Sequence, residues 1–509
     1  LIYSLYTIMI VQVLVIIILL GVFVYLKGVY NERYWKKRGV VFHKTNRLLG
    51  ITWDYLTKNR AFFEHFNDIY KQYPNEPAVG ICSMLKPAIF LRDVNNIQHV
   101  VSTDFNAFNH RGFEISDDDT LANSILLLNG KKWKLLRQSM SPLFTSSKLK
   151  LMYNIINKSA EDFVPYIKNS PELMKRNTFD TLSTFCSAAI TAAVFGISSK
   201  SIFDSPFLEM AQTVFKPTLL FNIKFVISLT TPMLMRLLNL KFFTEYEPFF
   251  IGAIKQLLVT RRTESTKRHD FADLCVSIQD SGMLRDEDTG LEIKPTDEVL
   301  AAQAFFFFTA GVEPTATAMY NILILLGKHP EALKRLQDEI DDAFAKNNGS
   351  MSYDALSEME YLDMVFNEGS RMYPALGYIV RECIHDSVLP VGNIKIEKGT
   401  SVFIPIFALH HDEKFYPDPE AFKPERFSRD NKSNLVDKAF LPFGKGNRIC
   451  IGMRYATLQA KAGLVQLLRN FDIKTPEKEH KIVFIPEKCI LARDKRILAQ
   501  RSCGRHLVL

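Results

Sequence analysis

The stretch Phe443-Gly444-Lys445-Gly446-Asn447-Arg448-Ile449-Cys450-Ile451-Gly452 decides how the rest of this chain is read. Residues without a Cβ permit a tight, steeply turned loop, and Gly444 and Gly446 supply two of them just ahead of Cys450. A helix beginning near Ile451 aims its free N–H groups back at the sulfur. Such groups, with the positive end of the helix dipole, lower a thiol's pKa and temper the charge of its thiolate. Gly452 lets that helix pass close to a flat group, Phe443 packs on the sulfur side, and Arg448 offers a planar cation to a carboxylate. Two plainer readings compete. A buried cysteine on its own is usually a small hydrophobe. A glycine-rich loop also cradles phosphates, but Ile449 stands at the third glycine position of the dinucleotide pattern, so that match fails.

The string resembles the Phe-x-x-Gly-x-x-x-Cys-x-Gly heme loop of the cytochrome P450 family. That resemblance implies heme b, with Cys450 as the proximal iron ligand and Arg448 beside a propionate. A thiolate ligand pushes electron density onto the iron and favours O–O cleavage. Further motifs follow in the family's order. Trp133-Lys-Leu-Leu-Arg137 puts an aromatic donor and a cation four apart on one helix face, and resembles the Trp-x-x-x-Arg whose side chains bind a heme propionate. Its plain reading is an amphipathic helix. Glu368-Gly-Ser-Arg371 places opposite charges at i and i+3, which on a surface is a weak ion pair. It resembles the family's buried Glu-x-x-Arg, tied to a later arginine that would be Arg426 in Phe422-Lys-Pro-Glu-Arg-Phe427. His410-His411-Asp and Tyr416-Pro-Asp-Pro resemble the approach to that motif. The two histidines lack evident partners for a metal site.

A long helix is expected from an N-cap at Thr296, with Asp297 and Glu298 in its first turn, to about Gly327, ended by His329-Pro330. A charged helix, Pro330–Ala345, follows. Within the long helix lies Ala310-Gly-Val-Glu-Pro-Thr315, against a family pattern of Ala/Gly-Gly-x-Asp/Glu-Thr. By resemblance Gly311 opens a groove for dioxygen and Glu313 relays protons. Pro314 replaces the usual alcohol, at a cost of about 3 kcal/mol in an ordinary helix interior. Thr315 comes one residue late, about 100° around the helix. Either a kink or a water brings its hydroxyl into play, or Glu313 and water act alone. Some relatives lacking this threonine rearrange peroxides without dioxygen or reductase. Phe305 to Phe308, with Phe105, Phe108 and Phe113, are candidates for the cavity wall, and core packing is expected for at least half of them.

The 509 residues carry a net charge of +8 and no concentrated basic arm with interleaved aromatics, so nucleic acid is not an expected partner. An anionic membrane or an acidic protein fits that balance. Seven cysteines are scattered without a Cys-x-x-Cys pair, which argues against a zinc site and a disulfide framework and for a reducing compartment. Ile8 to Leu26 is almost wholly apolar, and about 28 Å of helix crosses a bilayer core. Lys27, Arg33, Lys36, Lys37 and Arg38 follow on one side only, which places the body in the cytosol. No small-residue cleavage site follows the run, so an uncleaved anchor is expected rather than a signal peptide. Met9 is a candidate start residue. Asn157-Lys-Ser, Asn348-Gly-Ser and Asn431-Lys-Ser match the glycosylation pattern but are unused in a cytosolic body. The segment Pro217–Phe243, with Met233 and Met235, reads equally as buried helix or as a surface dipping into the membrane.

These readings give a mainly α protein with a minor β region: an anchor over 1–27, a basic linker over 28–50 and a heme domain over 51–509. The resemblance covers essentially the whole chain. It implies a monooxygenase that uses NADPH through a separate reductase, with cytochrome b5 as a further partner, at the endoplasmic reticulum membrane. Tyr34-Trp-Lys-Lys-Arg-Gly39 looks like insect microsomal members that oxidise toxins or lipophilic endogenous compounds. Lys131, Lys132, Lys134, Lys445 and Arg454 would meet the reductase's acidic face. The alternatives are a heme-thiolate isomerase or dehydratase and a non-catalytic heme sensor. A hydrolase finds no Gly-x-Ser-x-Gly or His-Glu-x-x-His.

Overall fold

The apolar run at the N-terminus and the basic stretch after it form one helix, α1 (Ile2–Lys36). Its length from Ile10 onward is long and apolar enough to cross a membrane, and its side chains from Ile10 to Leu20 are exposed. The last two turns are not a linker in form. Asn31 Nδ2 donates to Cys82 Sγ at 3.2 Å, Tyr34 Oη donates to Glu397 at 3.0 Å, and Trp35 is fully buried beside Gly80. The computed structural model describes residues 2–474 and 506–508, apart from 46–49, 52, 54–59, 84–85, 114, 171, 197–202, 204–205, 215–217, 231, 266–267, 269 and 432–436.

A small sheet lies against the end of α1. The hairpin β1 (Ala78–Ser83) and β2 (Lys86–Leu91) is antiparallel, with Gly80 opposite Ile89. Two later strands, β3 (Ile379–Glu382) and β4 (Ser401–Ile404), extend it in the order β1-β2-β4-β3. β4 runs parallel to β2 and antiparallel to β3, where Arg381 faces Val402. The sheet therefore joins chain separated by some three hundred residues.

Helices make the rest of the body. Five matter for the site: α2 (Gly130–Met140), α3 (Glu172–Phe195), α4 (Asp297–Lys328), α5 (Glu360–Met372) and α6 (Met453–Asn470). Helix α4 starts as its sequence requires: Thr296 Oγ1 accepts from the Val299 N–H, and Asp297 and Glu298 fill the first turn. It ends before Pro330, which opens the helix Pro330–Lys346. α4 runs through the core and packs along α3 and α6. It is apolar enough to span a membrane, yet it lies inside the protein.

Phe305 and Phe308 pack on Phe250, Phe307 on Phe144 and Phe271, and Phe306 on Phe243, so all four are core residues. Phe108 is likewise fully buried, in the second core cluster. Between residues 218 and 243 burial is mixed. Met235 is buried, whereas Leu220, Ile223, Leu237 and Leu238 are exposed. Pro217 and the side chain of Met233 lie outside the described residues.

Candidate active site

The cysteine loop closes on itself. The Cys450 N–H donates to the Phe443 carbonyl and the Ile449 N–H to that of Gly446, both at 3.0 Å. Gly446 has φ +71°, and a Cβ there would overlap the Val101 carbonyl, so conformation and close approach both demand glycine. Helix α6 starts two residues later than Ile451, and the Gly452 N–H ahead of it donates to the sulfur. Protein surrounds Cys450, yet its surface is accessible, as befits a group on the wall of an internal cavity. Burial raises the Cys450 thiol above its ordinary range, while the Gly452 N–H and the charges of Arg137 and Arg111 pull it down.

Four guanidinium groups converge near this sulfur. Arg448 is buried, donates to the carbonyls of Asn109 and Leu128 and to Asn129 Oδ1, and lies 3.9 Å from the Trp133 ring. Those bonds clamp the loop before α2 to the cysteine loop. Arg381 is carried in on β3, and the Glu382 N–H donates to the His110 carbonyl, which brings Arg111 to the same place. Arg137 comes from α2. Among the described residues no carboxylate pairs with any of the four, and the Nε atoms of Arg111 and Arg381 are buried without a partner. Burial and mutual repulsion push Arg448 down to about 8 and Arg381 to about 9, and burial takes Arg111 to about 10. Unpaired buried cations are strongly disfavoured. The set fits a group with two carboxylates and an iron that takes a thiolate, which is heme.

Helix α4 is open on one side: Ala310 is exposed and Gly311, Pro314 and Ala318 are half-buried, and Ala310, Pro314 and Ala318, at helical spacing of four, mark the face that borders a cavity. Gly311, Thr315 and Met319 form the adjoining face. A Cβ on Gly311 would stand 3.0 Å from Ile190 of α3, and Met319 Sδ meets Cys186 of α3 at 4.0 Å. Thr315 is 3% exposed, and its hydroxyl has no partner among the described residues. Thr315 thus belongs to the face that packs on α3, and the cavity position is Pro314. Helix α4 passes through Pro314 without interruption. Glu313 is buried.

Behind the sulfur, Glu368 and Arg371 of α5 are fully buried and bidentate, at 2.8 and 2.9 Å. Arg426 Nε reaches Glu368 Oε1 at 3.3 Å, completing the expected triad. His410 sits between this triad and the cysteine loop. Its Nε2 accepts from the Leu441 N–H at 2.9 Å, so its Nδ1 carries the proton and donates to the Arg371 carbonyl at 3.1 Å. Burial lowers its pKa to about 3, consistent with a neutral ring. No group of metal-ligating side chains is found among the described residues. Next to the loop a cleft of about 410 Å³ is lined by Tyr353, Phe443, Lys445, Met453, Arg454 and Lys461.

The family model for Cytochrome P450 matches residues 43–500. Cytochrome P450 6B5 of Papilio glaucus is 33% identical over 466 residues, covering 89% of this chain and 96% of that protein. Cytochrome P450 6k1 of Blattella germanica is 33% identical over 477 residues (91% of each chain), and cytochrome P450 9e2 of the same species 32% over 483 (89% and 90%). The chain belongs to the cytochrome P450 family. It is an oxidoreductase, a heme-thiolate monooxygenase of a family that works with redox partners on lipophilic substrates.

Arg111 and Arg381 escaped the reading of the sequence. A signal for Arg381 exists, a cation closing the run Tyr378-Ile-Val-Arg381 where a buried strand should be apolar. Arg111, in a polar loop, gives none.

Proposed function

We propose that this chain holds heme b through Cys450 and inserts one oxygen atom of O₂ into a lipophilic small molecule, a xenobiotic or an endogenous lipid or hormone. The overall reaction is R–H + O₂ + NADPH + H⁺ → R–OH + H₂O + NADP⁺, with electrons passed through a separate flavin reductase. The observation that carries it is the set of four guanidinium groups without carboxylate partners beside a cavity-facing cysteine. Bound heme supplies the oxidising chemistry that side chains lack. Arg111, Arg137, Arg381 and the Trp133 indole hold its propionates. Arg448 adds its field and fixes Trp133 and the loop before α2. Phe443 and the Gly452 N–H shield the thiolate of Cys450. Glu313 holds the proton to be delivered, and the Thr315 hydroxyl serves only through water, since it lies off the cavity face.

The cleft with Lys445, Arg454 and Lys461 lies beside the cysteine loop and suits an acidic reductase surface, with cytochrome b5 as a second partner there. Lys131, Lys132 and Lys134 of α2 extend the basic area, although Lys132, Lys134, Lys445 and Lys461 already pair with Asp117, Asp288, Asp437 and Asp363. The anchor α1, with basic residues on one side, supports a single-pass protein of the endoplasmic reticulum with its body in the cytosol. The exposed Leu220, Ile223, Leu237 and Leu238 support a second, shallower membrane contact.

Pro314 on the cavity face favours one rival, a heme-thiolate isomerase or dehydratase acting on organic peroxides. Turnover of a lipophilic panel with reductase, NADPH and labelled dioxygen separates the two. Label in the product supports the monooxygenase; fast peroxide conversion without NADPH and without label supports the rival. Cys450→Ala should abolish the thiolate-type carbon monoxide spectrum, and a retained spectrum would remove Cys450 from the role of ligand.

A further inference from the structure

The chain that leaves the apolar run of α1 has no slack. Leu26 closes that run, and Gly28, two residues on, is already buried. Asn31 and Trp35 are both 0% exposed, the first bonded to Cys82 Sγ and the second covering Gly80. A Cβ on Gly80 would overlap the Trp35 ring, so only glycine fits beneath it. After the helix, Gly39 at φ +70° turns the chain back to the same strand. The Gly80 N–H donates to the Val41 carbonyl at 2.8 Å, and the His43 N–H donates to the Gly80 carbonyl at 2.9 Å. Gly80 is thus held by its face and by both of its backbone groups. Tyr34 and Arg38 both bond to Glu397, and the Arg38 guanidinium lies 3.6 Å from the centre of the Tyr34 ring. A flexible linker is exposed, polar chain with few buried contacts. This stretch is instead fastened at Asn31, Tyr34, Trp35, Arg38, Val41 and His43.

The order of these contacts gives a direction. Asn31 meets Cys82 and, further along α1, Trp35 meets Gly80, so β1 runs against α1 and the turn from β1 to β2 points back toward the apolar run. At 1.5 Å per residue Asn31 stands about 7.5 Å beyond Leu26, and the headgroup layer on each side of a bilayer is about 5–7 Å thick. The Cys82 end of the sheet is therefore level with the outer edge of that layer, and Lys86, paired with Ser83, lies nearer the lipid. The Ile51 N–H donates to the Cys82 carbonyl at 3.2 Å, which sets the exposed Trp53 close to the same level, and aromatic rings of this kind favour the membrane interface. We propose that the last turns of α1 and the segment after them are a rigid bracket: they clamp the anchor to β1, so that anchor and body tilt as one piece and the Cys82 end of the sheet is held against anionic lipid headgroups. The proposal rests on the reading of α1 as a membrane span. Lys27, Arg33 and Lys86 supply the matching charge. The seat on Gly80, not the apolar run, sets the tilt of the heme domain.

The test uses the heme-loaded full chain in vesicles of phosphatidylcholine and phosphatidylserine. Trypsin cuts after Arg33, Lys36, Lys37 or Arg38 only where the chain opens locally. Trp35→Ala and Gly80→Leu should speed cleavage at these four bonds, read by fragment mass, at least about tenfold. Trp35→Phe should stay near the wild type. The second readout is the polarised absorption of the heme after a flash. In the wild type its anisotropy should decay to a high plateau, since a body clamped to its anchor turns only about the membrane normal. In Trp35→Ala the plateau should fall. If Gly80→Leu does not fold, Trp35→Ala decides. Rapid cleavage at these bonds in the wild type, or a wild-type anisotropy that decays to zero, overturns the proposal; so do variants that match the wild type in both readouts. A wild type that does not sediment with the vesicles fails the membrane reading alone, and the cleavage rates in solution still decide the bracket.

Discussion

Replacing Pro314 by threonine changes helix α4 in two separable ways. It returns an N–H to face the Ala310 carbonyl, and it puts a hydroxyl on the stripe that lines the cavity. In an ordinary helix interior proline costs about 3 kcal/mol relative to alanine and threonine about 0.6. The gross gain is therefore about 2.4 kcal/mol. Proline also restricts the unfolded chain, which returns about 0.4–1 kcal/mol to the wild type. A net gain of roughly 1.5–2 kcal/mol remains. That energy shifts Tm by roughly 2–4 °C per kcal/mol in a domain of 150–250 residues and by less in a larger one. For this chain of 509 residues we expect Pro314→Thr to raise the calorimetric midpoint by about 1–4 °C. Product per NADPH should rise several-fold. A lower midpoint would refute the premise that α4 is regular at this point. A higher midpoint with unchanged coupling would show that a hydroxyl is not what the cavity lacks, and that Glu313 and water suffice.

Two further substitutions test the charge arrangement. Arg381→Leu removes one of four buried cations, so the heme-free protein should become more stable to denaturant while heme transfer to an acceptor apoprotein speeds up about 10–100-fold, the value of a charged hydrogen bond of roughly 1.5–3 kcal/mol; a less stable heme-free protein would refute the account. His410 has its pKa lowered to about 3 in the folded state by burial, against about 6.5 when unfolded. The unfolded chain therefore binds the extra proton first, and the stability His410 contributes is complete above pH 6.5 and lost as pH falls toward 3, at up to about 1.4 kcal/mol per unit. Denaturant midpoints at pH 7.5 and pH 5 should accordingly fall further in the wild type than in His410→Asn, and parallel slopes would contradict the neutral, buried ring.

The parts legible in the sequence share one property: their chemistry is local. The loop from Phe443 to Gly452 closes through bonds between near neighbours, and Glu368 and Arg371 meet because i and i+3 share a helix face. Thr296 caps α4 with a residue three positions on, and the apolar run of α1 needs no partner to be recognised. What stayed hidden depends on distant chain. Arg111 and Arg381 stand 270 residues apart, and the bonds from the Glu382 N–H to the His110 carbonyl and from the Ile384 N–H to the Ala107 carbonyl bring them together. The role of His410 needed both of its ring contacts, to Arg371 and to Leu441. The direction of Thr315 turned on whether Pro314 kinks the helix. Because α4 stays regular, the 100° per residue of an undistorted helix applies, and Thr315 follows Gly311 and Met319 onto α3. The basic stretch after the anchor reads as a linker by composition alone, yet Trp35 has Gly80 to pack on, a residue 45 positions away.

The guanidinium cluster and the cysteine explain each other energetically. Without a bound anion, burial and repulsion between Arg448, Arg381 and Arg111 hold their pKa values down, and burial holds the Cys450 thiol up, so the site disfavours charge at both poles. A bound dianionic cofactor would reverse the first effect by pairing with the arginines proposed to hold it, Arg111, Arg137 and Arg381. Its metal would reverse the second at Cys450, since a coordinating thiol is deprotonated outright. Each half of binding therefore favours the other: the neutralised arginines no longer repel one another, and the thiolate, fixed by the Gly452 N–H, stays near the positive charges that stabilise it. The free energy of loading is in this sense free energy of folding. It follows that the buried cations, unfavourable when judged as part of an empty core, are retained because the state that matters for stability is the loaded one.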